Sequence, residues 1–304
     1  MMNVQQRKRL YKHGKQYLGL LVYTLPGILF FLVFKYWPII YSFILSFKRW
    51  NFVGKMRSVG WDNYASMFGK ESFTSALMNT LYYIIGLFPF FVVIPLLLAV
   101  LLSNIKHEKV QNLYRTMFFT PTILAFSIIC LVWMWIFNPS FGLLNNLLML
   151  FGKEGYAWLS EQQTAMLSII MVSGWKFMGS NMILFIAGLV TISDEYIEAS
   201  KIDGANGWET FWHIKWPLLS PTTIYITTTS VIFAAERAFT PINILTNGGP
   251  GNSTTNLSHA IYLFGFQYFN IGLASATAIF TSVLFLIVTG IMMKGMGGFG
   301  YYEN

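Results

Sequence analysis

Six apolar stretches, each about as long as a bilayer's hydrocarbon core requires, dominate this 304-residue chain. They run over 18–45, 81–102, 117–137, 166–192, 218–239 and 271–293. A spanning helix needs about 20 apolar residues, because in lipid a helix must satisfy its own backbone amides. The pattern predicts an all-α integral membrane protein with six transmembrane helices. Only 11% of the residues are charged, against about 25% in ordinary soluble domains. Pro26 and Pro38 in the first stretch, Pro89 and Pro95 in the second and Pro121 in the third predict bends.

The net charge of +8 reads as membrane anchoring. The N-terminal cations Arg7, Lys8, Arg9, Lys12 and Lys15 alternate with no aromatic platform of the kind that stacks nucleic-acid bases. Placing both termini in the cytoplasm puts eleven Lys and Arg inside: those five with Lys106, Lys109, Arg115, Lys201, Lys215 and Lys294. Six fall outside: Lys48, Arg49, Lys55, Arg57, Lys70 and Lys153. The positive-inside rule favours this orientation, although the first outside loop is unusually basic. Lys35 lies near enough to the outer end of its stretch to snorkel. The first stretch is too long for a signal-peptide core and lacks a clear cleavage site. The chain therefore divides into a cytoplasmic basic N-terminus (1–17), a six-span membrane domain (18–296) and a short tail (297–304). The lone Cys130 can form no intrachain disulfide, and His13, His107, His213 and His259 are too dispersed for a metal site.

Between the fourth and fifth stretches lies a polar segment, 193–217, that spanning alone does not need. Ser193 can cap a helix whose first turn carries Asp194 and Glu195, matching the positive helix end. Glu198 and Ile202 share one face, as do Ile197 and Lys201. Gly204 permits a chain reversal. A second short helix can run through Trp208, Phe211 and Trp212 until Pro217 ends it. Such a helix-turn-helix on the cytoplasmic side either rests on lipid headgroups or docks a partner.

Ionisable groups at membrane depth are candidates for function. Lys176 sits in the fourth stretch beside Trp175 and Phe177, with Ser173, Ser180 and Asn181 nearby. Glu236 and Arg237 lie toward the outer end of the fifth, with Ser230 close in sequence. Adjacent helical residues point about 100° apart, so Glu236 and Arg237 need different partners; Lys176 with Glu236 is one candidate pair. Hydroxyls, amides, charges and aromatic faces together suit a sugar path, or else an ion pair that fixes packing.

The run Glu198-Ala199-Ser200-Lys201-Ile202-Asp203-Gly204-Ala205, followed by Phe211, Ile214, Pro217 and Pro221, resembles the EAA loop of binding-protein-dependent ABC importer permeases. Ser200 stands where the family usually has a second alanine. Tyr41–Phe47, Trp61-Asp62-Asn63-Tyr64, Asn79-Thr80-Leu81, Asn138-Pro139, Gly142, Trp158-Leu159 and Leu245-Thr246-Asn247-Gly248-Gly249-Pro250 resemble the carbohydrate-uptake branch. The chain is similar to the larger maltose-type membrane subunit without its extra N-terminal spans and large periplasmic insertion. The resemblance implies a type I ABC importer permease of the bacterial or archaeal cytoplasmic membrane. It implies ATPase coupling through Glu198, Ala199, Asp203, Gly204, Ala205, Phe211 and Pro217. The implied partners are a second homologous permease, two ATPase subunits that bind ATP and Mg, and an extracytoplasmic solute-binding protein.

No G-x-x-x-x-G-K-[ST] phosphate loop occurs, so this chain is expected to hold no cofactor and to be a transport subunit, not an enzyme. By the same resemblance the substrate positions fall near Ser173, Lys176, Phe177, Ser180 and 231–238. Their residue types depart from the maltose pattern, so a sugar or oligosaccharide is implied but not maltose. Lys176 or Arg237 would equally suit an anionic solute such as a glycerol phosphate or an acidic sugar. An ion-coupled secondary transporter is the rival of a different class; it would need its own coupling-ion site and often inverted repeats, neither of which is visible.

Overall fold

A computed structural model describes residues 22–296. The basic N-terminus with His13, the first residues of the first apolar stretch and the tail 297–304 lie outside the described residues. The chain is helical almost throughout. α1 (Val22–Ser46) is followed by a minimal antiparallel pair, β1 (Lys48–Arg49) and β2 (Arg57–Ser58), with Lys48 opposite Ser58 and Arg49 opposite Arg57. Then come α2 (Asp62–Phe68), α3 (Glu71–Ser103), α4 (Glu108–Ile123), α5 (Phe126–Ile136), α6 (Leu143–Leu150) and α7 (Gln162–Val190). The hairpin helices are α8 (Asp194–Ile202) and α9 (Gly207–Leu218), and α10 (Ser220–Arg237), α11 (Phe239–Leu245), α12 (Leu257–Tyr262) and α13 (Ile271–Met296) complete the chain.

Among the described residues, α1, α3, α7 and α13 are each long and apolar enough to cross a membrane. Six crossings result if the bent pairs α4–α5 (100°) and α9–α10 (66°) each count as one. The core is built around α7: Ile169, Val172, Met182 and Phe185 are buried with Tyr83 and Leu87 of α3, Ile129 of α5 and Ile226 of α10. Small residues let the backbones approach. A Cβ at Gly179 would collide with the Phe118 carbonyl of α4, and one at Gly272 with the Lys48 carbonyl. By contrast α1 is almost bare, with only 6% of its most apolar window buried. Such a surface requires lipid or another chain.

Three of the prolines act through widened turns. π-turns at Leu32–Tyr36, Pro89–Val93 and Phe211–Lys215 each end two residues before a proline: Pro38, Pro95 and Pro217. A proline has no N–H for the carbonyl four residues back, and its ring crowds that oxygen. In each case the preceding N–H reaches one residue farther instead: Trp37 to Leu32, Ile94 to Pro89 and Trp216 to Phe211. This corrects one expectation. Pro217 does not end the hairpin helix; α9 continues through it, and the chain turns at Leu219 into α10.

The loops between the spans are clasped by side chains from the segments that carried the family resemblance. Asn63 Nδ2 donates to the Ser46 and Lys48 carbonyls, both at 2.8 Å, and so fixes the end of α1. Asn79 Nδ2 donates to Asn252 O (2.8 Å) and Thr255 O (2.9 Å), while Thr80 Oγ1 accepts from Leu257 N at 3.0 Å. Trp158 Nε1 donates to Asn145 Oδ1 at 2.7 Å.

Candidate functional site

The hairpin 193–217 is assembled by its own caps. Ser193 Oγ accepts from Glu195 N at 3.3 Å and starts α8, as its residue type predicts. Gly204 reverses the chain at φ +85°. Asn206 and Glu209 then form a reciprocal capping box at the start of α9. The arms are joined by a buried contact of 3.1 Å between Ser200 Oγ and Thr210 Oγ1. Ser200 therefore does more than stand in for an alanine.

One edge of the hairpin is open and the other is anchored. Glu198, Ala199, Asp203 and Gly204 are exposed, Ile202 is 86% exposed, and a Cβ added at Gly204 would meet nothing within 4 Å. Ala205 and Pro217 are half-buried. Phe211 and Trp216 pack against the core that α7 organises. Trp208, Trp212 and Trp216 form a ladder with centroid separations of 5.5 and 5.8 Å. The hairpin is thus joined to the spans through packed aromatic rings.

The candidate substrate-path residues separate into two groups. Ser173, Lys176 and Asn181 are interior. Ser173 Oγ accepts from Tyr83 OH at 2.8 Å. Lys176 Nζ does not go to Glu236, the candidate partner. It donates to three main-chain carbonyls at the α4–α5 break: Pro121 (3.1 Å), Thr122 (3.2 Å) and Leu124 (2.6 Å). A 100° bend frees the last carbonyls of α4 from helical bonding, and a buried ammonium with three donors satisfies them. Asn181 Nδ2 donates at 2.9 Å to Phe91 O, the carbonyl four residues before Pro95, and lies 3.4 Å from Ser230 Oγ.

The second group is more open. Glu236 and Arg237 are exposed, while Trp175, Phe177 and Ser180 are half-buried. The Arg237 guanidinium lies 5.1 Å from the Phe177 ring centroid and 4.6 Å from that of Phe233. Phe177 also meets Phe126 edge-on at 5.5 Å, and Trp175 meets Trp133 at 5.7 Å. Ser180 Oγ is turned back to Phe177 O at 2.7 Å. Ser230 borders an apolar groove of about 370 Å³ between α3 and α10, lined also by Leu87, Phe91 and Thr227. Tyr83 was absent from the sequence-based set, whereas Phe233 falls within its 231–238 range. Phe233 carries a local signal, lying four residues before Arg237; Tyr83 carries none.

The family described as "Binding-protein-dependent transport system inner membrane component" matches residues 137–294, which include the whole hairpin and α10. Over 280 residues the chain is 34% identical to the arabinooligosaccharides transport system permease protein AraP of Bacillus subtilis (strain 168), covering 91% of this chain and 88% of that one. It belongs to this family of permeases. The permease is also 30% identical over 272 residues to the sn-glycerol-3-phosphate transport system permease protein UgpA of Agrobacterium fabrum (strain C58 / ATCC 33970), covering 88% and 91% of the two chains. In structure it is similar to a chain of a bacterial ABC transporter that imports the acidic polysaccharide alginate. The TM-score is 0.84 at 26% identity, over 95% of this permease and 98% of that chain. The same fold (TM-score 0.82, 26% identity) occurs in that transporter's complex with an alginate pentasaccharide-bound periplasmic protein. The permease is therefore a multi-pass membrane subunit of the type I ABC importer fold, and the ion-coupled alternative falls away.

Proposed function

We propose that this permease pairs with a second, homologous permease to form the path for a sugar or oligosaccharide. The open acidic edge of the hairpin, tied through Phe211 and Trp216 to the α7 core, carries this reading. Two ATPase subunits, binding ATP and Mg, would receive Glu198, Ala199, Asp203, Gly204 and Ala205 in a cleft. Phe211 and Pro217 would carry the motion into the spans. Differential contact with two ATPase states is what can bias two transporter states. Both termini and the hairpin lie in the cytoplasm, as the Lys and Arg distribution favours. The clasped outer loops face an extracytoplasmic solute-binding protein, and the bare α1 lies against the second permease. The oligosaccharide and polysaccharide importers among the relatives support the solute class.

Within the path, the interior bonds of Ser173, Lys176 and Asn181 support a role in shaping the spans. Trp175, Phe177, Ser180, Ser230, Glu236 and Arg237 would be the residues that meet solute. One observation favours a second solute class: Arg237 is a cation held over two aromatic rings, the arrangement that would receive a carboxylate or phosphate. Proteoliposomes containing the assembled transporter test the main reading. Uptake should require enclosed ATP and external binding protein and should survive collapse of ion gradients. Uptake that follows an ion gradient without ATP would overturn it.

A further inference from the structure

The ends of α3, α4 and α7 and the two hairpin helices enclose a space that the transport reading leaves unused. This cavity, of about 520 Å³, has a polar wall that includes Ser103, Asn104, Arg115 and Lys215. Asp194 lines it too, and Leu189 and Val190 form part of an apolar wall. Apart from Arg115, which lies midway along α4, these residues sit at or near helix ends, which places the cavity toward the membrane boundary. Arg115 Nε is closed off from solvent and, among the described residues, has no hydrogen-bond partner. Arg115 and Lys215 against Asp194 leave one formal positive charge along the lining.

A guanidinium fork beside an ammonium suits a phosphate, and one surplus positive charge matches a phosphodiester monoanion. A free anion would use only the polar wall. The apolar wall calls for a ligand with a hydrocarbon portion, and its rim residue Val190 is 77% exposed. Basic pockets between membrane helices bind lipid headgroups on this chemistry.

We propose that this cavity seats the headgroup of an anionic phospholipid, its phosphate between Arg115 and Lys215 and its glycerol and acyl carbons against Leu189 and Val190. The lipid bridges α4, α7 and the hairpin, so it ties the position of the hairpin to the composition of the adjoining leaflet.

The assembled transporter, held in nanodiscs of phosphatidylcholine doped with phosphatidylglycerol, tests this by native mass spectrometry of lipids retained on this chain. Arg115→Gln should weaken retention of phosphatidylglycerol about tenfold or more, since a charge-assisted bond contributes roughly 1.5–3 kcal/mol. Asp194→Asn should strengthen it, a change of sign that a folding defect cannot imitate. Retention unchanged in both variants would overturn the proposal. So would inorganic phosphate matching phosphatidylglycerol in thermally stabilising the wild type but not Arg115→Gln, which would make the cavity a site for a soluble anion.

Discussion

Asn181 provides the sharpest test of how the spans are held. Pro95 deprives Phe91 O of its helical donor, and Asn181 Nδ2 replaces it at 2.9 Å between buried residues. Asn181→Leu leaves a buried carbonyl unsatisfied, which costs about 1–3 kcal/mol. The second contact, to Ser230 Oγ at 3.4 Å, is long and adds little. In a Pro95→Ala background, residue 95 regains an N–H that can return to Phe91 O. The same Asn181→Leu change should then cost less than about 1 kcal/mol. A double-mutant cycle should thus show coupling of roughly 1–2 kcal/mol between residues 95 and 181. Unfolding midpoints in mixed micelles of mild detergent and SDS would measure it. Equal costs in both backgrounds would refute the assignment of Asn181 as the replacement donor for the proline.

Other outcomes follow from separate parts of the molecule. His259, in α12 outside the spans, is buried between Phe239 and Tyr262, with neither ring nitrogen hydrogen-bonded among the described residues. Burial holds its pKa below the usual 6.5. Its neutral form therefore supports the fold above about pH 6.5, and that support is lost as pH falls; a pH series of melting temperatures should flatten in His259→Leu. Arg237→Gln should raise KM for an acidic oligosaccharide about tenfold or more, the loss of one charge-assisted contact, and leave a neutral sugar nearly unaffected. Equal effects on both would remove Arg237 from solute recognition. Ser200→Ala should lower stability by about 0.5–1.5 kcal/mol through loss of its hydroxyl's bond to Ile197 O (2.8 Å) and its 3.1 Å contact with Thr210, measured by the same micelle titration.

The crossings and the hairpin were legible because both are local. Twenty apolar residues define a span wherever it packs, and the Ser193 cap and the Gly204 reversal depend on immediate neighbours. What Lys176 does was not legible. Its partners are carbonyls more than fifty residues upstream, exposed only because α4 breaks after Pro121. A lysine at membrane depth suggests a counter-charge, and here an opened helix end supplied the negative pole. The contact of Ser173 with Tyr83 likewise depends on how α3 and α7 are juxtaposed. Pro38, Pro95 and Pro121 were read correctly as perturbing their helices, whereas Pro26 lies in unbroken α-helix and Pro217 does not end its own. The form of the perturbation at Pro38 and Pro95, a π-turn ending two residues before, follows from ring and carbonyl geometry that residue identity alone does not display.

The coupling role of the hairpin is tested most directly at Gly204. A Cβ there meets nothing within 4 Å, so Gly204→Trp starts its side chain in open space and adds bulk where a partner would dock, besides about 1–2 kcal/mol of backbone strain from the positive φ. Solute-stimulated ATP hydrolysis and uptake by the assembled transporter, read beside basal hydrolysis, decide the matter. The account predicts that stimulation and uptake collapse together while basal hydrolysis by the ATPase subunits persists. Uptake at the wild-type rate would contradict it.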